Sequence, residues 1–206
     1  MAAIIFDFDG TITDSFNYVA DFLADEAGLP PLSGHMKHDL RGQSMTTMAK
    51  RLGYHWWQFP GLFLKGRRGM QRSIRRFKTF DGMAEVIRKL HAEGHQLFIV
   101  SSNSVHNIHL FIRAHQLHTY FLQVYGGVSM FGKAPMLRQL MHEHHLETKN
   151  CLYVGDELRD VEAAQSLGLS VIAVTWGFAK PADLADLHPT ALADKPADLV
   201  TLIENL

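Results

Sequence analysis

The sequence has almost no cysteine and no long apolar run. Its single cysteine, Cys151, stands in an apolar segment. The chain therefore has neither an internal disulfide nor a site of several thiolates, and we interpret Cys151 as a small core residue. Apolar runs stay at about six residues or fewer, whereas a membrane-spanning helix needs about 18. The N-terminus also lacks the charge and apolar pattern of a signal peptide. We therefore expect a cytoplasmic protein without a membrane partner.

Acidic residues are absent from one stretch of the chain. Residues 40–80 contain ten of the 20 Lys and Arg residues and no Asp or Glu, although the formal net charge of the whole chain is only −1. Most charge runs are solvated helix faces. The alternative interpretation is a surface that attracts an anionic ligand. No nucleic-acid-binding motif accompanies the basic residues, so we expect no nucleic-acid partner.

The first fifteen residues are the most informative part of the sequence. An apolar run over residues 3–6 leads directly to Asp7, Phe8, Asp9 and Gly10. A short apolar run ended in this way predicts a strand of a parallel sheet, and the carboxyl ends of such strands border the crevice where α/β proteins bind ligands. Two carboxylates are costly in a dry core. We therefore predict that Asp7 and Asp9 lie at the mouth of a site.

The remaining sequence divides into a helical part and an alternating part. Residues 16–79 show helical spacing of apolar residues and predict three helices, the third from about Gly66 to Lys78. From residue 81 onward, helices alternate with strands, which predicts an α/β fold with a Rossmann-like parallel sheet flanked by helices. We assign residues 1–15 and 80–206 to this core domain and residues 16–79 to an inserted all-α cap domain above the carboxyl edge of the sheet. We call residues 16–79 the cap.

Polar residues follow several of the predicted strands. The N-terminal pair of aspartates is joined by Ser101, by Lys133, and by Asp156 with Asp160. Carboxylates that converge from two strands repel one another unless a cation lies between them. Mg²⁺ prefers oxygen ligands, and Asp7, Asp156 and one backbone carbonyl suffice as its protein ligands. With Lys133 and Ser101 as donors to an oxyanion, these residues predict a phosphoryl-transfer site.

Four motifs of this chain resemble those of one family, the haloacid dehalogenase superfamily, in its phosphatase branch. The matching residues, in motif order, are 7–11 with Asp14 and Ser15, then Ser101, then Lys133, then Gly155 and Asp156 with Asp160. Residues 174–177 are also similar to the phosphoglycolate phosphatase group of that family. The resemblance extends over the whole length and implies the predicted fold, a helical cap and a hydrolase that acts on phosphate monoesters.

The resemblance implies a role for each matched residue. Asp7 is the expected nucleophile, and Asp9 is the expected general acid and base. Mg²⁺ is expected on Asp7, Asp156 and the backbone carbonyl of Asp9, while Asp160 is expected to orient water or Lys133 from outside that set. The residues expected around the phosphate are Gly10, Thr11, Ser101, Ser102, Asn103 and Lys133. Dehalogenases of this family usually lack the carboxylate at position 9, so halide displacement is not expected.

Three positions leave alternatives open. A shift of one residue would exchange the roles of Ser101 and Ser102, and we favour Ser101 because it directly follows the strand. Glu157 is either a further group of the metal site or a residue that caps the next helix. Arg41, in the segment 41–44, lies where related caps contact substrate and is our first substrate-binding candidate in the cap.

These expectations favour a magnesium-dependent phosphatase of a small phosphorylated metabolite, such as 2-phosphoglycolate or a sugar phosphate, that acts through an aspartyl-phosphate. A phosphomutase of the same fold is the main alternative, because it returns the phosphoryl group to a sugar instead of passing it to water. A phosphate-binding regulatory module without turnover is the third. Loss of Asp7, Asp9, Lys133 or Asp156 would favour that module, and all four are present. The sequence predicts no oligomeric state.

Overall fold

A computed structural model describes residues 1–43, 45–127 and 132–206, and the side chain of Met45 is also outside the described set. Its centre is one sheet of six strands, all paired in parallel, in the order β3-β2-β1-β4-β5-β6. The strands are β1 (Ala3–Phe6), β2 (Gln96–Val100), β3 (Phe121–Tyr125), β4 (Cys151–Gly155), β5 (Ser170–Val174) and β6 (Ala191–Ala193). The predicted α/β fold with a parallel sheet is confirmed.

The first strand lies in the middle of the sheet and is buried on both faces. Its Ile5 is in register with Phe98 on one neighbour and with Tyr153 on the other. Ile4 and Phe6 pack into one apolar core, whereas Ala3 and Ile5 pack into a second core on the opposite face. A strand whose side chains are buried in a core on each face has apolar residues at every position, which explains the unbroken apolar run.

Helices cover both faces of the sheet. Those that follow the cap are α5 (Met83–Ala92), α6 (Val105–Ala114), α7 (Lys133–Glu143), α8 (Leu158–Gln165), α9 (Pro181–Asp186) and α10 (Asp198–Glu204). On one face, Val86, Ile87 and Leu90 of α5 are buried. On the other face, Leu137 and Leu140 of α7 and Val161 of α8 are buried. Helical spacing of these apolar residues therefore sets which side each helix presents to the sheet.

The described part of the cap is helical, but one predicted helix is misplaced. The cap helices are α1 (Phe16–Glu26), α2 (Gly34–Leu40), α3 (Met45–Arg51) and α4 (Phe59–Met70), with short 3₁₀ turns at Trp56–Gln58 and Ile74–Arg76. The prediction of a helix from Gly66 to Lys78 is wrong, because α4 begins at Phe59 and ends at Met70. Pro60 occupies the first turn of α4, where a missing N–H costs no hydrogen bond, so it marks a helix start rather than a break.

Two linkers join the cap to the sheet and run side by side. The Asp14 N–H donates to the Lys78 carbonyl at 3.1 Å, and the Phe80 N–H donates to the Ile12 carbonyl at 3.2 Å. The segments that lead into and out of the cap are therefore hydrogen-bonded to each other directly after β1. This places the cap helices above the carboxyl edge of the sheet. Within the described residues, no helix combines the length and apolarity that crossing a membrane requires.

Candidate active site

Asp7 is the first residue beyond β1, and both of its carboxylate oxygens are held. Its N–H donates to the Val154 carbonyl at 2.8 Å, which continues the sheet pairing by one position. Its Oδ1 accepts from the Phe8 N–H at 2.7 Å, and its Oδ2 accepts from Lys133 Nζ at 2.6 Å. The side chain is buried. Asp7 thus stands in a single orientation at the carboxyl edge of the sheet.

Lys133 links Asp7 to a second carboxylate. It is the first residue of α7, is buried, and donates to Asp7 and also to Asp160. Burial alone would lower the pKa of Lys133, but the carboxylates of Asp160 and Asp7 raise it above its ordinary value. The lysine therefore stays charged and keeps both carboxylates in place.

Asp160 is the residue that fixes this lysine. It lies in the first turn of α8, and its Oδ2 accepts from the backbone N–H groups of Asp156 at 3.2 Å and Glu157 at 3.1 Å, while its Oδ1 accepts from Lys133. A carboxylate at a helix N-terminus that accepts free N–H groups is stabilised by them. This geometry agrees with the expectation that Asp160 orients Lys133.

Asp156 is held by two segments of the chain that are distant from it in sequence. Its Oδ1 accepts from the Thr11 hydroxyl and its Oδ2 from the Phe178 N–H, both at 2.8 Å, and the residue is completely buried. The Trp176 Nε1 donates to the Thr11 carbonyl at 3.2 Å, so the loop after β5 also holds the loop after β1. Sequence reasoning assigned the segment 174–177 only a family resemblance and missed that this loop positions Asp156.

Glycine is required at two places beside Asp156 because the backbone comes so close. A Cβ at Gly10 would lie 2.2 Å from Asp156 Oδ2, and Gly10 also has φ +82°, which favours glycine. A Cβ at Gly177 would lie 2.2 Å from Asp156 Cβ. Gly10 was expected beside the phosphate, and the structure places it against the Asp156 carboxylate.

Asp7, Asp156 and Asp160 form one buried acidic cluster. Each offers a carboxylate oxygen within 4.8 Å of the others, and all three residues are buried. Burial raises the pKa of Asp7 to about 7, with a further increase from Asp160 that Lys133 opposes. Burial and the charges of Asp7 and Asp160 raise the pKa of Asp156 well above its ordinary value. Three oxygen donors that repel one another fit a small divalent cation, which prefers oxygen ligands and cancels the repulsion.

We expect Gly177→Ala to damage the acidic cluster selectively. The added Cβ forces Asp156 or the loop after β5 to shift, which should cost about 1–3 kcal/mol of stability and weaken divalent-cation binding. Thermal unfolding with and without Mg²⁺ measures both effects. Gly61→Ala is the matched control, because nothing lies within 4 Å of its Cβ position. A Gly177→Ala protein that binds Mg²⁺ like the wild type would contradict the assignment of Asp156 as a ligand.

Asp9 is directed away from the acidic cluster and toward Asn103. Asn103 Nδ2 donates to Asp9 Oδ2 at 2.8 Å, whereas the buried Oδ1 of Asp9 has no hydrogen-bond partner among the described residues. Burial raises the pKa of Asp9, and the Ser15 hydroxyl and the Asn103 amide, both hydrogen-bond donors, oppose this increase. Asn103 was expected to contact phosphate, but in this structure its amide contacts the carboxylate of Asp9. The hydrogen bond from Asn103 therefore holds Asp9 in a fixed orientation.

The structure favours Ser102 over Ser101 as the hydroxyl that faces a ligand. Ser101 is completely buried, its N–H still bonds to the Tyr125 carbonyl of β3, and its hydroxyl accepts from the Asn103 N–H at 3.1 Å. Ser102 is the next residue and lines the large cavity described below. These contacts weigh against our preference for Ser101, because the sheet pairing extends one residue beyond the apolar run.

Glu157 is engaged with a neighbouring arginine. Arg159 contacts both oxygens of Glu157, through Nη2 and Nε, at 2.8 Å each. Glu157 also immediately precedes α8, and its N–H donates to Asp160. It is not part of the acidic cluster formed by Asp7, Asp156 and Asp160. Of the two alternatives, the structure supports a place at the start of the helix rather than in the metal set.

A cavity of about 70 Å³ lies between the cap and the carboxyl edge of the sheet. Its sheet side is formed by Asp9, Ser102 and Asn103 with Glu157 and Arg159, and its cap side is mostly apolar. The cap residues that line it include Tyr18, Phe22, Phe59, Leu62, Phe63 and Arg67. Arg41 is not part of this lining, because its guanidinium lies 4.5 Å above the Phe16 ring. Ser44, in the same segment as Arg41, lies outside the described residues.

An aspartate paired with a buried lysine, at the carboxyl edge of a parallel sheet and beneath a helical cap, defines an enzyme class that works through carboxylate chemistry. A family model described as haloacid dehalogenase-like hydrolase matches residues 4–174 of the 206. The chain belongs to the haloacid dehalogenase-like hydrolases. The expectation drawn from the four motifs is confirmed.

Known proteins are similar to this chain over its whole length. It is 35% identical over 209 residues to a phosphoglycolate phosphatase of Synechococcus elongatus, with 100% of this chain and 99% of the relative covered. It is 23% identical to a 5'-nucleotidase of Pseudomonas aeruginosa, with 98% and 95% covered. The fold matches a crystal structure of a predicted phosphatase from Clostridium acetobutylicum with a TM-score of 0.82 and 20% identity, over 100% and 99% of the two chains.

Proposed function

We propose that the protein is a magnesium-dependent phosphatase that hydrolyses a small phosphate monoester through an aspartyl-phosphate on Asp7. The observation that carries the proposal is the arrangement at the carboxyl edge of the sheet. There Asp7 is paired with Lys133 within the acidic cluster, and Asp9 lines the cavity. The full-length similarity to a phosphoglycolate phosphatase supports the substrate class.

The first half-reaction transfers the phosphoryl group to the protein. A carboxylate oxygen of Asp7 attacks phosphorus, and the bond from phosphorus to the ester oxygen breaks. Asp9, whose pKa burial raises, acts in its protonated form and gives its proton to the departing alkoxide. Lys133 holds Asp7 in line for this attack, and the Ser102 hydroxyl donates to a phosphate oxygen. The products are an alcohol and an acyl phosphate on Asp7.

The second half-reaction returns the enzyme to its starting state. Asp9, now a carboxylate, removes a proton from water, and the water oxygen attacks phosphorus. The acyl phosphate bond breaks, which releases inorganic phosphate and restores both Asp7 and the protonated Asp9. The same residue therefore serves as acid and then as base.

The residues proposed to hold Mg²⁺ are Asp7, Asp156 and the backbone carbonyl of Asp9. All are oxygen donors, and the buried carboxylates fit a hard divalent cation. The bound ion supplies positive charge that offsets the repulsion between the anionic phosphate and the Asp7 carboxylate. Asp160, with Lys133 and two backbone N–H groups as partners, is proposed to stand outside the ligand set.

Mg²⁺ should stabilise the folded protein, and Asp156→Asn should remove that stabilisation. At an ion concentration of about 100 times Kd, binding to the folded state alone adds about 2.7 kcal/mol. Differential scanning fluorimetry across a Mg²⁺ titration measures the increase in Tm. Asp81→Asn, which changes an exposed carboxylate, should keep the full increase. An equal Mg²⁺ response in wild type and Asp156→Asn would refute the proposed ligand set.

Release of inorganic phosphate from a panel of monoesters tests the function directly. The panel contains 2-phosphoglycolate, hexose 1- and 6-phosphates and nucleoside 5'-monophosphates, each with Mg²⁺ and with EDTA. We expect Mg²⁺-dependent phosphate release from at least one small ester. Interconversion of hexose phosphates with little free phosphate would instead support a phosphomutase. An absence of both reactions would support a binding module.

A further inference from the structure

The cavity between the cap and the sheet contains two arginines with different surroundings. Arg159, on the sheet side, is neutralised by both carboxylate oxygens of Glu157. Arg67 lies on α4 of the cap and forms no ion pair within the described part of the chain. Arg67 is therefore the cavity cation whose charge the described residues do not balance.

Arg67 is nevertheless fixed in position at the contact between cap and core. Its Nη1 donates to the Ser102 carbonyl at 3.3 Å, and its own carbonyl accepts from Asn107 Nδ2 at 2.9 Å. Its guanidinium lies 5.4 Å from the centre of the Phe63 ring. The hydrogen bond to Ser102 and the Phe63 ring thus set the direction of this side chain, and the hydrogen bond from Asn107 fixes its main chain.

The guanidinium of Arg67 has an N–H group without a hydrogen-bond acceptor. Its Nε is buried and has no hydrogen-bond partner among the described residues. The apolar cavity residues Phe22, Leu62 and Phe63 offer no side-chain acceptor. Although carboxylates of Asp9 and Glu157 line the same cavity, neither forms an ion pair with Arg67 among the described residues. A buried N–H without an acceptor is costly, and a guanidinium presents its N–H groups in a fork that matches a carboxylate. The missing acceptor is therefore best supplied by an anionic group of a ligand.

The position of Arg67 also limits the size of that ligand. Arg67 bonds to the main chain of Ser102, and the Ser102 hydroxyl is proposed to donate to the phosphate. An anion on Arg67 therefore lies close to the phosphate, and only a short chain of atoms joins the two. A neutral sugar offers a hydroxyl to Arg67 but does not balance its charge.

We propose that Arg67 binds a carboxylate on the leaving group of the substrate, so that the substrate is the phosphate ester of a short hydroxy acid. This assignment rests on the proposed phosphatase function and narrows its substrate class. It makes Arg67, rather than Arg41, the residue of the cap that selects the substrate. The carboxylate supplies the acceptor that the guanidinium lacks, and the apolar walls strengthen the pairing because they exclude water.

Two esters of equal length test the proposal. We compare kcat/KM for 2-phosphoglycolate with that for 2-hydroxyethyl phosphate, in which a hydroxymethyl group replaces the carboxylate. Wild type should prefer the acid. Arg67→Met should lower kcat/KM for 2-phosphoglycolate by about 10- to 100-fold, as expected for loss of a charged hydrogen-bonded pair. It should change the value for 2-hydroxyethyl phosphate far less, so that the preference collapses.

Two further variants serve as controls. Arg68→Met removes the exposed neighbouring arginine of the same helix and should leave both values unchanged. Arg67→Lys keeps the charge but loses the fork, and it should retain part of the preference. This variant also keeps the test valid if Arg67→Met unfolds, which its Tm reveals.

Several results would overturn the assignment. An equal loss on both esters in Arg67→Met would mean that Arg67 binds the transferred phosphate or only anchors the cap. A wild type without preference for the acid, or one that hydrolyses a sugar phosphate but not 2-phosphoglycolate, would reject Arg67 as a carboxylate site while the phosphatase function stands. A protein that hydrolyses no ester in the presence of Mg²⁺ would reject both.

Discussion

Asp7→Asn should abolish turnover, with kcat reduced by about 10⁴-fold or more, as for removal of other catalytic nucleophiles. An amide oxygen does not form the acyl phosphate, although it fills the same space. The fold should survive, because Lys133 keeps its pairing with Asp160 and one buried charge is lost. Steady-state phosphate release measures the effect, and thermal unfolding checks the fold.

A direct readout separates loss of the nucleophile from a general disturbance. Wild type, mixed with ³²P-labelled substrate and quenched in acid, should carry label that hydroxylamine removes, as expected for an acyl phosphate. Asp7→Asn should carry none and should still bind substrate in calorimetry. Asp81→Asn, an exposed carboxylate changed in the same way, should behave like wild type. If Asp7→Asn keeps more than about a hundredth of wild-type kcat, water attacks phosphorus directly and Asp7 has another role.

The sheet and the positions of the main carboxylates could be predicted because they depend on local patterns. Buried parallel strands are apolar at every position, and their carboxyl ends meet at one edge. Polar residues that follow such strands are therefore neighbours in space. Asp7, Asp156 and Asp160 are buried together with Lys133, and this is the arrangement that the pattern indicates.

The choice between Ser101 and Ser102 depended on information that the sequence does not contain. The end of a strand is set by its pairing, and Ser101 still bonds to Tyr125 of β3 through its N–H. The pairing partner comes from a different part of the chain and does not alter the apolar pattern of residues 96–100. One further bonded residue places Ser101 within the sheet pairing and leaves Ser102 as the serine that lines the cavity.

The residues of the cap were the hardest to assign. Ten basic residues lie in the stretch 40–80, and which of them faces the cavity depends on where α4 begins and how it is rotated. Because Phe59 and Pro60 open that helix, Leu62, Arg67 and Met70 point toward the core. A prediction that starts the helix at Gly66 does not show that these three residues lie on the same face of α4. Tertiary contacts such as Asn107 with the Arg67 carbonyl then fix the rotation.

Asn103 connects the cap to Asp9. Its Nδ2 donates to Asp9 Oδ2 and also lies 3.0 Å from the sulfur of Met70 on α4, and its Oδ1 accepts from Asn107, which in turn holds the cap. The orientation of Asp9 thus depends on how the cap is seated. For the proton transfer proposed for Asp9, these contacts couple the alignment of the carboxylate to the position of the cap, which also covers the site.

Asp9→Asn should slow the two half-reactions unequally, depending on the leaving group. With an alkyl phosphate the alkoxide needs a proton, so we expect kcat to fall by about 10²- to 10⁴-fold. With p-nitrophenyl phosphate the leaving phenolate needs no proton, so phosphoryl transfer to Asp7 should stay fast while hydrolysis of the acyl phosphate, which needs a base, becomes slow. The variant should therefore release a burst of p-nitrophenol and accumulate labelled protein.

Rapid mixing followed by acid quench measures both the burst and the label. Asn fills the space of Asp9 and keeps an oxygen that accepts from Asn103 Nδ2, so the geometry of the site should remain. The double variant Asp7→Asn with Asp9→Asn should show neither burst nor label, since the acceptor of the phosphoryl group is then missing. Equal slowing of both esters, with no labelled intermediate, would mean that Asp9 acts in orientation and not in proton transfer. In the proposed mechanism the two aspartates that follow β1 therefore have separable roles, and these experiments distinguish the one that forms a bond to phosphorus from the one that moves the proton.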